Sequence, residues 1–168
     1  MGIAAKNPYE NDDELEGQEA RAVDGPREVE LTTIDHVGIA VANLDEALAY
    51  YAKNFDLRSV HEEVNEEQGV REAMLAVGDS GSCIQLLAPL SPESTIAKFL
   101  DRNGPGIQQM AYRVEDIDAV SATLRERGMR LLYDEPKNGT AGSRVNFIHP
   151  KDAGGVLVEL VQPGTSDH

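Results

Sequence analysis

Four polar side chains lie inside strand-like segments that are otherwise apolar or small: His36 in Asp35-His36-Val37-Gly38-Ile39, Gln85 in Ile84-Gln85-Leu86, Gln109 in Gln109-Met110-Ala111, and Glu159 in Val158-Glu159-Leu160. One imidazole, two amide oxygens and one carboxylate make a mixed nitrogen and oxygen donor set. Such a set suits a borderline divalent ion such as Co²⁺, Mn²⁺, Ni²⁺ or Zn²⁺, and it lacks the thiolates of a structural zinc site. Each residue alone has a plainer role: a core histidine, amides that satisfy backbone groups, a glutamate that pairs with an arginine. Their spacing argues for a shared role. His36 and Gln85 are 49 residues apart, Gln109 and Glu159 are 50 apart, and a proline follows four residues after the second member of each pair, at Pro89 and Pro163.

These positions belong to an internal repeat. Ile34-Asp35-His36-Val37-Gly38-Ile39-Ala40-Val41 is echoed by Ile107-Gln108-Gln109-Met110-Ala111-Tyr112-Arg113-Val114, and each copy precedes a helical pattern, opening at Leu44 and at Ile117. Two copies of one supersecondary unit are implied. In the first, a strand over 31–41 leads to a helix over 44–54 capped by Asn43, then to strands near 57–63, 70–77 and 82–88. In the second, a strand from Ile107 leads to a helix over 117–127 stopped by Gly128, then to strands near 130–133, 144–148 and 156–161. A linker helix is expected at about 91–104. Neither half buries both faces of its strands alone, so the fold is expected to be α+β: two tandem βαβββ modules, at about 31–90 and 106–163, sharing one cupped mixed sheet with helices outside. Strand side chains alternate faces, so the four polar residues can point into the cup while their neighbours face the helices.

Composition narrows the function. The net charge of −15 argues against nucleic acid, whose phosphates need a basic surface. Residues 1–30 carry nine acidic and three basic residues with no sustained apolar period, and read as a disordered acidic leader before one domain over 31–164. The single cysteine, Cys83, excludes an internal disulfide and fits a reducing compartment. No apolar stretch has membrane-spanning length and no signal-peptide pattern opens the chain, so a cytoplasmic protein without membrane contact is expected.

The chain from about 34 to 163 resembles the vicinal oxygen chelate (glyoxalase-like) superfamily and, within it, the methylmalonyl-CoA epimerase family. The stretches that carry the resemblance are Asn65-Glu66-Glu67-Gln68-Gly69-Val70-Arg71-Glu72, Ser94-Thr95-Ile96-Ala97-Lys98-Phe99-Leu100, Leu132-Tyr133-Asp134-Glu135-Pro136 and Ser143-Arg144-Val145-Asn146-Phe147-Ile148-His149-Pro150. The resemblance implies metal ligands at His36, Gln85, Gln109 and Glu159, with Co²⁺ the expected ion, and a proton-transfer base at Glu72, whose plainer reading is a surface acid beside Arg71. It also implies a CoA-thioester substrate, a homodimer and a place in propionate metabolism. The family commonly has His-His where this chain has Gln108-Gln109; an amide oxygen is a harder and weaker ligand than imidazole.

Epimerisation between a thioester and a carboxylate needs a weakly acidic α-proton removed from one face and returned to the other. A cation can stabilise the enolate, and a buried carboxylate can have its pKa raised toward the working pH. Glu72 and Glu159, from opposite halves, are the candidate acid–base pair; the alternative is that Glu159 is purely a ligand and another group or water returns the proton. Because the protein is acidic overall, an anionic CoA group would need a local cationic rim, for which Lys98, Lys137, Arg144 and Lys151 are candidates. Two alternatives differ in class: another glyoxalase-like lyase or isomerase, and a non-catalytic protein that sequesters a small molecule. A ring-cleaving dioxygenase, which uses two His and one Glu with Fe(II), fits poorly because only one of the four positions is His.

Overall fold

Strands β1 (Thr33–Ala40) and β5 (Gly106–Arg113) run antiparallel through the middle of one eight-stranded sheet. On one side follow β4 (Cys83–Pro89), β3 (Val70–Ala76) and β2 (Ser59–Asn65). On the other follow β8 (Val158–Gln162), β7 (Arg144–Ile148) and β6 (Lys137–Asn138). Each central strand pairs in parallel with its outer neighbour, β1 with β4 and β5 with β8, and every remaining pairing is antiparallel. The two halves thus repeat one connectivity, and the expected α+β fold of paired βαβββ units around a curled mixed sheet is what the computed structural model has. It describes residues 27–165. Residues 1–26 of the expected leader lie outside the described residues; Val29, near the leader's end, packs against the core of the second half.

Helices α1 (Leu44–Phe55) and α3 (Ile117–Glu126) occupy equivalent places. Each starts on a side-chain cap that satisfies an orphan helical N–H: Asn43 accepts from Glu46 N and Asp116 from Ala119 N. α1 covers Ala73, Leu75, Leu86 and Ala88, whereas α3 joins Val114, Ile148 and Leu160 in a second cluster. Leu75 and Leu86 are fully buried, and burial of each contributes about 1.5–3 kcal/mol. Helix α2 (Thr95–Asn103), capped by Ser94, has no counterpart in the second half. Its Ile96 packs with Ala40, Val70 and Leu87.

One expected strand is misplaced. Residues 130–133 do not form a ladder strand; Leu131 makes a lone bridge to Ile148, and the sixth strand is the short Lys137–Asn138. The cause is Asn146, which is fully buried. Its side chain accepts a hydrogen bond from Tyr133 N at 3.1 Å and donates one to Tyr133 O at 2.9 Å. Leu132 N and His149 N still donate across to Phe147 O and Arg130 O at 2.8 and 3.0 Å, but at Tyr133 the Asn146 side chain takes both backbone groups and the ladder stops, and Pro136 then supplies no N–H. Pairing with β7 resumes only at Lys137.

Candidate active site

The central strands carry two bulges at repeat-equivalent places. Between Ile34 and His36 the register of β1 slips by one residue against β5, and between Gln109 and Ile107 β5 slips by one against β1. The extra residues, Asp35 and Gln108, immediately precede His36 and Gln109. A bulge re-aims side chains that strict alternation would send to opposite faces. It explains how Asp35 reaches its own neighbour, with His36 Nδ1 2.7 Å from Asp35 Oδ2. Gly38 stands opposite Gln85 on one side and Gln109 on the other. A Cβ at Gly38 would lie 2.5 Å from Gln109 Cγ, so the glutamine side chain crosses the sheet through space that only glycine leaves open.

His36, Gln85, Gln109 and Glu159 are all buried and meet at one place. The amide nitrogen of Gln109 lies 2.6 Å from Glu159 Oε2, 3.1 Å from Gln85 Oε1 and 3.2 Å from His36 Nε2. His36 Nε2 is itself 2.9 Å from Glu159 Oε2. Gln85 turns its own amide nitrogen to Glu72 Oε2 at 2.9 Å and to Thr140 Oγ1 at 3.2 Å. The Thr140 hydroxyl donates to Glu72 Oε1 at 2.5 Å. A chain of amides therefore links two buried carboxylates, Glu159 and Glu72, one from each half.

Electrostatics sets the two ends apart. Burial pushes the Glu72 carboxyl up; the Thr140 hydroxyl opposes the rise, and the hydrogen-bonding contact with the Glu63 carboxyl, followed by the charges of Glu63 and Glu159, adds to it, giving a pKa of about 7. Burial works against a charged His36, but its bonds to Asp35 and Glu159 outweigh that cost and raise it to about 9. Burial would also raise Asp35; its bonds to His36 and to Arg113 prevail and hold it below the ordinary carboxylate range. Arg113 grips Asp35 with Nε at 3.0 Å and Nη2 at 2.7 Å. The series Arg113–Asp35–His36 fixes the orientation of the imidazole, as outer-shell carboxylates do for ligating histidines.

The donor set can be tested against a cation on this geometry. Three atoms, Gln85 Oε1, Glu159 Oε2 and His36 Nε2 (the last a donor to Glu159 until it gives up its proton), converge on one point, and the Gln109 amide nitrogen stands there. Rotating that amide by half a turn exchanges its nitrogen for an oxygen, which would complete a set of one nitrogen and three oxygens. These residues fit a borderline divalent ion. Among the described residues no group of three or more His, Cys, Asp or Glu is placed to hold a metal, because two of the four converging side chains are amides.

Gln85, Gln109 and Glu159, with Glu72 beside them, form the floor of a cleft open to solvent, while His36 lines a second hollow behind it. Val70, Leu87, Ile96, Val145, Phe147 and Leu157 supply apolar walls, while Glu72, Gln85, Gln109 and Glu159 supply the polar floor. Across its mouth, Gln68 Nε2 donates to the Tyr133 hydroxyl at 3.1 Å, joining the two halves. The expected rim cations fare differently. Lys98 is exposed on α2, whose Thr95 and Ile96 line the cleft, and Lys137 lies 4.3 Å from the ring centre of Tyr133, another lining residue. Arg144 is no rim cation. Val145 and Phe147 face the cleft, so alternation along β7 turns Arg144 toward the outer helix α3, where it grips Asp118 at 2.7 and 3.1 Å. Lys151 is exposed in the turn Pro150–Asp152 and is not among the residues lining the cleft.

Comparison with known proteins places this geometry in context. Residues 35–147 match the glyoxalase/bleomycin resistance protein/dioxygenase superfamily. The chain is 59% identical to methylmalonyl-CoA epimerase from Mycobacterium tuberculosis, whose crystal structure superposes with a TM-score of 0.78 over 80% of this chain and 89% of that one. A variant of the Streptomyces coelicolor methylmalonyl-CoA epimerase, in complex with 2-nitronate-propionyl-CoA, is 46% identical, with a TM-score of 0.79 over 83% of this chain and 99% of that one. The ethylmalonyl-CoA/methylmalonyl-CoA epimerase of Cereibacter sphaeroides is 40% identical over 131 residues, covering 77% of this chain and 96% of that protein.

Proposed function

We infer that this chain, which belongs to the methylmalonyl-CoA epimerase family of the glyoxalase/bleomycin resistance protein/dioxygenase superfamily, is an isomerase that interconverts (2R)- and (2S)-methylmalonyl-CoA. The observation that carries the reading is the pair of buried carboxylates, Glu72 and Glu159, joined by the Gln85–Gln109 amide chain on the floor of an apolar cleft.

Glu72 is the base for one face of the substrate carbon. Its pKa of about 7 keeps a useful ionised fraction near neutrality and still makes it a strong enough base to take a carbon-bound proton. The Thr140 hydroxyl and the Gln85 amide hold both of its oxygens. Glu159 serves the opposite face. Its Oε2 accepts from His36 and Gln109, which leaves Oε1 without a hydrogen-bonding side chain among the described residues. The apolar walls exclude water, which strengthens each polar contact on the floor. His36, Gln85, Glu159 and the rotated amide of Gln109 would hold the divalent cation, Co²⁺ being the expected ion and Mn²⁺, Ni²⁺ or Zn²⁺ the alternatives. When bound, it supplies a Lewis acid for the negative charge that develops on the substrate oxygens. Lys98 and Lys137 are the cations we assign to the CoA end of the cleft.

No helix among the described residues is long and apolar enough to cross a membrane. A cytoplasmic homodimer acting in propionate metabolism completes the reading. The test is exchange of the substrate α-proton with D₂O, followed by NMR, in protein stripped with chelator and then supplied with Co²⁺. Exchange is expected with the ion restored. Tight binding of the thioester without any exchange would instead mark a sequestering protein.

A further inference from the structure

We propose that Glu63 is a positioning residue: it latches the loop 139–142 over Glu72 and, through Thr140, fixes the direction in which the Glu72 carboxylate points. The proposal rests on the assignment of Glu72 as a base.

Glu63 lies on β2 directly opposite Glu72 of β3. Two acidic side chains facing each other across strands are an unfavourable pair unless something else engages one of them. Here the two carboxyls stay within hydrogen-bonding reach of each other, and Glu63 is engaged twice more: its Oε2 lies 3.2 Å from His61 Nε2, and its Oε1 accepts a hydrogen bond from Ala141 N at 3.2 Å. Ala141 is one of two non-glycine residues with positive φ among the described residues, at 55°. A side chain resists that conformation, so it persists only where surrounding contacts enforce it. The same loop carries Thr140, whose hydroxyl donates to Glu72 Oε1 and whose oxygen accepts from Gln85.

The rest of the loop is pressed in place by backbone and apolar contacts. A Cβ at Gly139 would lie 2.5 Å from Val145 Cγ1, and one at Gly164 would lie 2.7 Å from Gly142 O. These contacts come from the second half and the C-terminal segment. From the first half, Glu72 and Gln85 bond Thr140 itself, and Glu63 holds the residue next to it. The clasp therefore couples the strand pair that bears the base to the loop that orients it. Removing it lets the loop relax from its left-handed turn, and the Thr140 hydroxyl then leaves the Glu72 carboxylate held on one oxygen only, by Gln85.

The experiment measures exchange of the α-proton in D₂O without inversion, for each epimer separately, with Glu63→Ala, Glu63→Gln, Thr140→Val and the double variant Glu63→Ala/Thr140→Val. Glu63→Ala is expected to lower kcat about tenfold for the epimer whose proton faces Glu72, a small misplacement of a reacting group being enough for such a loss. KM and exchange from the other epimer should stay within about twofold. Glu63→Gln keeps a carbonyl acceptor for Ala141 N and should restore most of the rate. In the double variant Glu63→Ala should slow Thr140→Val by less than it slows the wild type, because the two changes share the loop's hold on Glu72. Losses that multiply in the double variant, equal losses from both epimers, or a Glu63→Gln enzyme as slow as Glu63→Ala would each overturn the latch. A wild-type protein that exchanges neither epimer would overturn the epimerase reading itself, a different result.

Discussion

Glu72→Gln separates a catalytic carboxylate from a structural one, because the two roles predict opposite changes in stability. In the folded protein the Glu72 carboxyl titrates near 7, against an ordinary value of 4.5, with burial the main cause. A folded-state pKa raised above the unfolded one means that the native protein holds the proton more tightly. The resulting stability is fully present below pH 4.5 and is lost as pH rises through about 7. The difference between the two values corresponds to a cost on the order of 3 kcal/mol for ionised Glu72 at pH 8. Glutamine is neutral at every pH and avoids that cost. It also leaves either Thr140 or Gln85 poorly matched, worth about 1 kcal/mol. The net expectation is a gain of about 2 kcal/mol at pH 8, or roughly 4–8 °C in Tm by the usual scaling for a chain of this size. The gain should vanish by pH 5. Over the same change the exchange rate should fall by about 10²–10⁴. In the wild type, kcat/KM should climb about tenfold per pH unit below about 7 and level off above it. Calorimetry at pH 5 and pH 8, together with deuterium exchange, reads both sides. A variant that melts lower at pH 8, or one that exchanges at the wild-type rate, would refute the role given to Glu72.

Gly38→Ala places a methyl 2.5 Å from Gln109 Cγ and should displace that side chain, lowering exchange by about tenfold or more with little change in far-UV circular dichroism. Gln109→His replaces an amide that donates to Glu159 and Gln85 by an imidazole with a free lone pair; calorimetric titration should show tighter Co²⁺ binding, and weaker binding would mean that Gln109 does not face the ion. Asn146→Ala leaves Tyr133 N and O and Phe147 N without their buried partner and should cost about 3 kcal/mol in urea unfolding while the folded fraction keeps its exchange activity.

The convergence of His36, Gln85, Gln109 and Glu159 was legible because each breaks an apolar strand at a repeat-equivalent position, and the period of two along a strand sends such residues to one face. The helices were legible from their caps: Asn43 and Asp116 are followed at once by apolar residues at helical spacing. What escaped depends on contacts made across the fold. Asp35 and Arg113 support His36 only because a bulge turns Asp35 to the side of its neighbour, and a bulge leaves no local mark when no glycine announces it. Thr140 reaches Glu72 across 68 residues of chain, from a loop that reads simply as a turn. Gly38 did carry a signal, a glycine amid β-branched strand residues, and a close approach of another side chain was the physical reason for it. The segment 130–133 has the apolar pattern of a strand; the buried Asn146 side chain that ends its pairing at Tyr133 lies on a different strand, beyond the reach of any local window. That Arg144 is drawn to Asp118 and not to the rim depends on which side of β7 looks into the cleft, which its neighbours in sequence do not show.

The most direct test of the account starts from stereochemically pure (2S)-methylmalonyl-CoA in D₂O with the Co²⁺-loaded protein and resolves the product by chiral chromatography and mass spectrometry. The expected product is (2R)-methylmalonyl-CoA carrying one deuterium at C2, formed until the two epimers are equal, with the same outcome from the opposite epimer. Recovery of (2S) substrate unchanged in configuration and isotope, from protein that is folded and binds the thioester, would contradict it.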